Sequence, residues 1–251
     1  MNKVIAVNKP LGITSYDVIR GLKKEYKGEK IGHAGTLDPL ADGVLIVLIG
    51  KDATTRQSKF MNVDKEYVFT VLLGFETDTY DILGLIQKIG KYIESVDQEF
   101  LNQFKGTLQQ KVPPFSAVKV KGKPLYRWYL SGEIDKVEVP TKEVKVEEIE
   151  LLDTWLIHGA DLKSQILGLL EKVKAGFRQK DIMTKWNEVM EGKVEEEFRI
   201  LKIRAVVSKG TYVRAIANDI GQKLGCGACT INITRTRVGE YNLSQLPADQ
   251  L

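Results

Sequence analysis

Residues suited to holding a metal or passing electrons are scarce in this chain. Its 251 residues include two histidines and two cysteines. His33 and His158 lie far apart at no ligand-like spacing, and Cys226 and Cys229 form a single C-x-x-C. A structural zinc would need two more ligands, and a redox pair would need a thioredoxin-like strand–helix context. The pair therefore reads as structural, and neither metal nor cofactor is expected. No apolar run approaches the roughly 18 residues of a membrane span; the strongest, Val44 to Ile49, has the length of a strand. The opening MNKVIAVNKP has no long apolar stretch followed by a small-residue cleavage site, so a cytoplasmic location is expected. A large excess of one charge is missing too. The formal net charge is +4, too small alone to announce a nucleic-acid partner. With 43% hydrophobic and 28% charged residues, the composition is that of an ordinary globular protein able to bury a sizeable core.

What charge there is falls unevenly. Lys105, Lys111, Lys119, Lys121, Lys123 and Arg127 occupy a stretch from Phe104 to Ser131 that holds no acid. From Lys202 to Gly239 basic residues again dominate, with Asp219 the one acid, whereas Glu133 to Glu150 is mostly acidic. Two basic stretches that meet in the fold make a surface for phosphates; left apart, they are solvated loops.

Periodicity and punctuation give a coarse order of elements. KVIAVN at 3–8 reads as a strand, and Thr14 or Ser15 caps a helix to Lys24 with Val18, Ile19 and Leu22 on its apolar face. A Gly-rich loop from Gly32 to Gly43 leads into the buried-type strand Val44–Ile49. Strands follow at Lys65–Leu73, Ala117–Val120, Lys142–Leu152 and Phe198–Ser208, with a polar loop at Glu76–Gly84 and a turn at Lys121-Gly122-Lys123. Helical spacing marks Gln98–Phe104, Leu125–Ser131 and Tyr212–Leu224, the last stopped by Gly225. Between two strands, Ile166, Leu169, Leu170, Val173 and Phe177, then Ile182, Trp186, Val189 and Met190, predict a helix pair joined near 176–180. Its position suggests a helical insertion over 153–200.

The densest feature is GHAGTLDPLADGVLIVLIG at 32–50, where glycines, acids and a proline precede a hydrophobic strand. A carboxylate such as Asp38 on a tight loop beside a buried strand is placed as active-site acids often are, although turn chemistry alone also explains those residues. Around it stand NKPLGITSYDVI, KEYVF, GFETDTYDILG, PPFSAVKVKGKPLY and SKGTYVRAIANDIGQKLGCGACTINITRTRVG, in that order along the chain. This ordered set closely resembles the TruB family of tRNA pseudouridine synthases, and leaves mainly 85–105 and 153–200 unmatched.

The resemblance implies an α/β (α+β) fold, a mixed and largely antiparallel sheet flanked by helices, as a single catalytic domain over 1–251. It implies an enzyme that isomerises a specific uridine of the tRNA T loop, with tRNA as partner and no membrane. Matched to the family's motifs, Asp38 is the catalytic aspartate, Tyr67 stacks on the target base and joins proton transfer, and Arg214 pairs with the aspartate. Asp81 joins that polar network, while Tyr212 and Ile233 line the uracil pocket. His33 matches a histidine at the displaced T-loop bases, Lys9, in the N-terminal KP motif, counts among the substrate-binding residues, and Arg235 matches a basic residue near RNA phosphate.

The chemistry suits these residue types. Pseudouridine forms when the N1–C1′ bond breaks, the uracil turns and C5 joins C1′; nothing is oxidised and no group leaves. An ionised aspartate and a proton relay suffice. The target base must be flipped out and held by stacking, work for an aromatic Tyr67 and an apolar Ile233. Two departures from the family stand out: the chain ends soon after RTRVGEYNLSQL, so the C-terminal PUA-type domain of many members is expected to be absent, and 153–200 is extra. The near-neutral charge of that stretch favours a cap on the core over an RNA-binding edge. A monomer is expected. The rival readings are a guide-RNA-dependent pseudouridylase and a non-catalytic tRNA-binding or tRNA-folding protein; retention of Asp38, Tyr67 and Arg214 counts against the second.

Overall fold

The computed structural model describes residues 2–174 and 178–247. Its strands are β1 (Lys3–Lys9), β2 (Ile31–Ala34), β3 (Ala41–Ile49), β4 (Lys65–Leu73), β5 (Phe75–Thr77), β6 (Ile86–Ile89), β7 (Gly106–Lys111), β8 (Lys119–Val120), β9 (Lys123–Pro124), β10 (Thr141–His158), β11 (Glu197–Val207), β12 (Ala228–Val238) and β13 (Tyr241–Asn242). Helices α1 (Ser15–Glu25), α2 (Lys51–Thr55), α3 (Gln57–Met61), α4 (Gln98–Asn102), α5 (Leu125–Leu130), α6 (Gly159–Lys172), α7 (Gln179–Glu191) and α8 (Val213–Leu224) complete it. The main sheet runs β1-β3-β12-β4-β11-β10-β7, with β2 also on β3 and β13 on β12. Every pairing is antiparallel except β3 with β12. The expected mixed, largely antiparallel sheet is therefore present.

β3 is apolar on both faces because both are covered. Leu45, Val47 and Ile49 join the main core under α1 and α8, while Val44, Ile46 and Leu48 pack with Ala6, Ala34 and Ala53 on the other side. The strand begins at Ala41 rather than the expected Val44, because Ala41, Asp42 and Gly43 pair with Ile233, Thr234 and Arg235 of β12. A side chain at Gly43 (φ +101°) would overlap the Arg235 backbone, so this approach needs glycine. Within the supposed Gly-rich loop, Ile31–Ala34 is a strand on β3. Residues 106–111 form β7, an edge strand on β10 that the polar GTLQQK does not announce.

The helix pair exists, as α6 and α7, with residues 176 and 177 of the expected joint outside the described residues. Its start differs from expectation. β10 does not stop at Leu152 but runs to His158, paired to Glu197 of β11, so the helical hairpin lies between 159 and 196. Leu162, Ile166, Leu170, Ile182, Trp186 and Met190 bury their side chains against Phe75, Phe198 and Leu72. Trp186 stacks at a tilt on Phe75, 5.3 Å between centroids, and its Nε1–H donates to the Ile82 carbonyl at 3.1 Å. Trp186→Ala is expected to cost about 3–5 kcal/mol, read as a fall in the denaturation midpoint; a change below about 1 kcal/mol would mean the hairpin is not part of the cooperative core.

Candidate active site

The loop carrying Asp38 is tied down from three sides. Thr14 caps α1 in a capping box with Asp17. The next residue, buried Ser15, donates from Oγ to the Leu37 carbonyl at 3.1 Å and accepts the Leu37 N–H at 2.9 Å. Gly12 N–H donates to the Pro39 carbonyl at 2.8 Å, and Ala41 N–H to Asp38's own carbonyl at 3.0 Å. Lys9 sits beneath this turn, fully buried, with Nζ donating to the carbonyls of Pro10 (2.9 Å) and Ile13 (2.7 Å). Burial holds its ammonium down to about 8, with Asp42 and Asp38 opposing. Lys9, expected among the substrate-binding residues, is thus a brace for the loop, its ammonium spent on backbone carbonyls.

Arg214 approaches Asp38 from the first turn of α8. Its Nε–H donates to Asp38 Oδ2 at 2.9 Å, Nη1 to the Thr79 carbonyl at 2.6 Å, and Nη2 to the Phe115 carbonyl at 2.7 Å. The Arg214 side chain is 3% exposed and that of Asp38 35%. Burial works against the Arg214 charge, but Asp38 and Asp81 outweigh it and raise its affinity for the proton. Asp81 lies behind, with Oδ1 accepting from Thr79 Oγ1 (2.6 Å) and Leu83 N–H (3.0 Å). Burial pushes its carboxyl up to about 6, against the pull of Arg214.

That shift has a consequence for stability. The folded state binds the Asp81 proton more tightly than the unfolded chain, whose carboxyl titrates near 3.8. Stability from this group is therefore greatest below that value and is lost as pH rises to about 6. Asp81→Asn keeps both acceptor contacts without the charge. Relative to wild type it is expected to gain up to about 3 kcal/mol between pH 4 and 6, by chemical denaturation at each pH. A constant difference across that range would refute the assignment.

Asp38 stands in the wall of a cleft of about 640 Å³, lined also by Tyr67, Tyr212, Ile233, Lys65, Lys142 and Lys209, within the range of small-ligand sites. Tyr67 on β4 is cross-strand from Arg235, two pairs along from Ile233 opposite Phe69 and so on the same side of the sheet. Tyr212, at the N-terminus of α8, is fixed through its backbone by the Gln110 side-chain amide. The second basic stretch reaches the cleft through Lys209, Arg214 and Arg235, whereas the first contributes only the uncharged Phe115–Ala117 and none of its cations. Arg235 reaches the cleft but is 1% exposed, donating to the carbonyls of Val44 (2.7 Å) and Gly35 (3.0 Å). It ties β12 to the Asp38 loop, leaving exposed Lys209 and half-buried Lys142 as the open cations. His33 is on β2, half-buried and outside the residues lining the cleft, its affinity for the proton lowered by burial and by Arg235. Cys226 and Cys229 are buried and unpaired where α8 turns into β12, thiols pushed up by burial.

A smaller chamber of about 160 Å³ adjoins on the far side of the Asp38–Arg214 pair, lined by Leu83, Phe115, Tyr126 and Arg178 among others. Lys65 stands in KEYVF without a role of its own there, Gln110 lies on the unannounced edge strand β7, and Arg178 lies in the stretch without resemblance.

The sequence pattern of TruB family pseudouridylate synthases (N-terminal domain) matches residues 23–163. A tRNA pseudouridine synthase B from Fusobacterium nucleatum is 39% identical over 247 residues, covering 97% of this chain and 70% of that protein. This chain belongs to the TruB family of pseudouridylate synthases. Its relative in Parabacteroides distasonis, also named tRNA pseudouridine synthase B, is 35% identical, with 96% and 87% covered. Among solved structures, a Cbf5-Nop10-Gar1 complex matches with a TM-score of 0.57 at 25% identity, over 95% of this chain. An H/ACA RNP bound to a substrate RNA containing 2′-deoxyuridine has the same fold, with a TM-score of 0.55 at 23% identity. The TruB-family chain spans about half the length of those two. The family's chemistry is isomerisation, and the chain is an isomerase of this kind.

Proposed function

We propose that this chain converts a specific uridine in the T loop of tRNA to pseudouridine, with Asp38 as nucleophile. The observation that carries the reading is the asymmetry of the Asp38–Arg214 pair: the cation is buried and all its nitrogens are engaged, while the anion opens onto the cleft. An ion pair kept for stability gains little from such an arrangement, since burying the guanidinium is costly and the exposed partner is screened. The same arrangement is what a nucleophile needs: Oδ2 is held in direction, and Oδ1 takes no hydrogen bond from the described residues.

In this reading the flipped uracil lies between Tyr67 and Ile233. Asp38 assists cleavage of N1–C1′, the base turns, C5 bonds to C1′, and the C5 proton is lost with Tyr67 in the relay. N1 gains a proton in exchange, so atoms balance without a cofactor. Lys142 and Lys209 supply charge for the RNA backbone at the rim. The relatives' name, tRNA pseudouridine synthase B, supports tRNA as substrate. A tRNA-folding protein without chemistry would have no use for a buried cation that directs a carboxylate into the cleft.

The test is an unmodified tRNA transcript incubated with the protein, with pseudouridine mapped by carbodiimide-blocked reverse transcription. A single T-loop product is expected. Binding without product would overturn the proposal.

A further inference from the structure

The α6–α7 hairpin does more than cover the second core, because it touches the loops of the candidate site at two points. At the first, Lys174 N–H donates to the Gly12 carbonyl at 2.8 Å, and Gly12 N–H holds Pro39, the neighbour of Asp38. Gly12 has φ +96°, and a side chain there would collide with the Lys172 carbonyl at the end of α6, so the hairpin seats directly on this turn.

At the second point stands Arg178, just before α7. Its Nη1 pairs with Asp78 Oδ2 at 2.8 Å, and the Asp78 side chain is 2% exposed. Asp78 Oδ1 in turn accepts the Leu85 N–H at 2.9 Å. The guanidinium lies over the Phe115 ring, 4.6 Å from its centroid, and 6.0 Å from that of Tyr129. Arg178 thus grips Asp78, the residue before Thr79, together with Phe115 itself. Thr79 and Phe115 are the two residues whose carbonyls hold Arg214.

We infer that Arg178 is a positioning residue of the active site: by clamping Asp78 and Phe115 it fixes the two carbonyls that aim Arg214 at Asp38. The inference rests on the pseudouridine synthase reading above. Two features argue against a mere pin for α7. Arg178 has φ +41° and ψ +25°, a left-handed conformation that non-glycine residues seldom adopt, so the backbone is bent to deliver this side chain. Its contacts also fall on loop residues at the site rather than on neighbours in the helix. A shift of about 1 Å in Arg214 is enough to disturb a catalytic arrangement.

The experiment measures single-turnover pseudouridine formation and tRNA affinity for Arg178→Met and Arg178→Lys, beside wild type and Asp38→Asn. Arg178→Met is expected to lower the saturating rate about 10–100-fold, the scale of lost outer supports. Affinity should stay within about twofold, while thermal unfolding falls because Asp78 is left buried without its partner, so the rates are read at a temperature where every variant is folded. Arg178→Lys, which keeps a cation for Asp78, should recover part of the rate, and adding Asp78→Asn to Arg178→Met should cost little more. A wild-type rate in Arg178→Met would overturn the inference. So would a loss confined to affinity, which would make Arg178 an RNA contact, or a loss that follows unfolding with no recovery by lysine. If wild type itself made no pseudouridine, the proposed function would fail instead.

Discussion

Asp38→Asn is expected to lower the single-turnover rate of pseudouridine formation by about 10⁴-fold or more, while tRNA affinity and folding stay near wild type. Asparagine has the same shape, and its side-chain oxygen can still accept the Arg214 Nε–H that Asp38 accepts at 2.9 Å. The two carbonyl acceptors of Arg214 are untouched, and Asp81 remains as a counter-charge behind it. What disappears is the negative charge and the nucleophilic oxygen, and no other carboxylate is placed to substitute: Asp81 is buried, with Oδ1 already bonded to Thr79 and Leu83, and Glu143 is on the lysine-bearing rim. Filter binding and thermal unfolding alongside the rate separate chemistry from the rest. A variant within about tenfold of wild type would remove Asp38 from the nucleophile's role.

Much of the fold was legible because many elements carry their own local signature. Strand β4 has the expected bounds, Lys65–Leu73, since its alternation is set by one covered and one half-covered face. Helix α1 begins at a Thr14 cap, and α8 ends at Gly225, both written in side-chain chemistry. The misses share a cause: their structure comes from a distant partner. Asp42 becomes strand because β12 lies alongside and Gly43 because β12 and Lys9 of β1 flank it, and β7 exists as a polar edge because β10 supplies its ladder. Only Lys119–Val120 of the expected strand from Ala117 pairs, in a short hairpin with β9. The extension of β10 past Leu152 follows the same rule, with β11 as template and a register shift at Leu151–Asp153.

The site divides along the same line. Motif resemblance pointed to Asp38, Tyr67, Arg214, Tyr212 and Ile233, and the structure gathers them round one cleft. It could not say how a cation is used. Lys9 and Arg235 look like phosphate contacts by residue type, yet both are buried and spend their donors on backbone carbonyls. Buried backbone acceptors need such partners, and a turn as irregular as 10–13 has few N–H groups to offer. Arg178 went unseen for the converse reason, being one basic residue in a stretch whose near-neutral charge suggested a cap. The hairpin is indeed a cap by its apolar face, and it also reaches the site by one side chain.

Arg214→Ala is expected to damage fold and activity together. It leaves the Thr79 and Phe115 carbonyls without their donor and takes the counter-charge from buried Asp81. Breaking a buried pair from one side costs about 3–5 kcal/mol, and loss of the group aiming the nucleophile adds a rate loss of about 10²–10³-fold. Lysine should not restore the rate, because one ammonium cannot serve three acceptors spread round a planar fork. The pH dependence has a definite sign. With Arg214 gone, only the Thr79 and Leu83 hydrogen bonds oppose burial at Asp81, and its carboxyl moves above about 6. The penalty should therefore be larger at about pH 7.5 than at about pH 5. Adding Asp81→Asn should remove that difference and return part of the stability, yet none of the activity, since Asp38 would still lack its guide. Chemical denaturation of the single and double variants at both pH values measures the first effect, and single-turnover rates the second. Recovery of catalysis by Asp81→Asn would show that Arg214 serves only to neutralise Asp81.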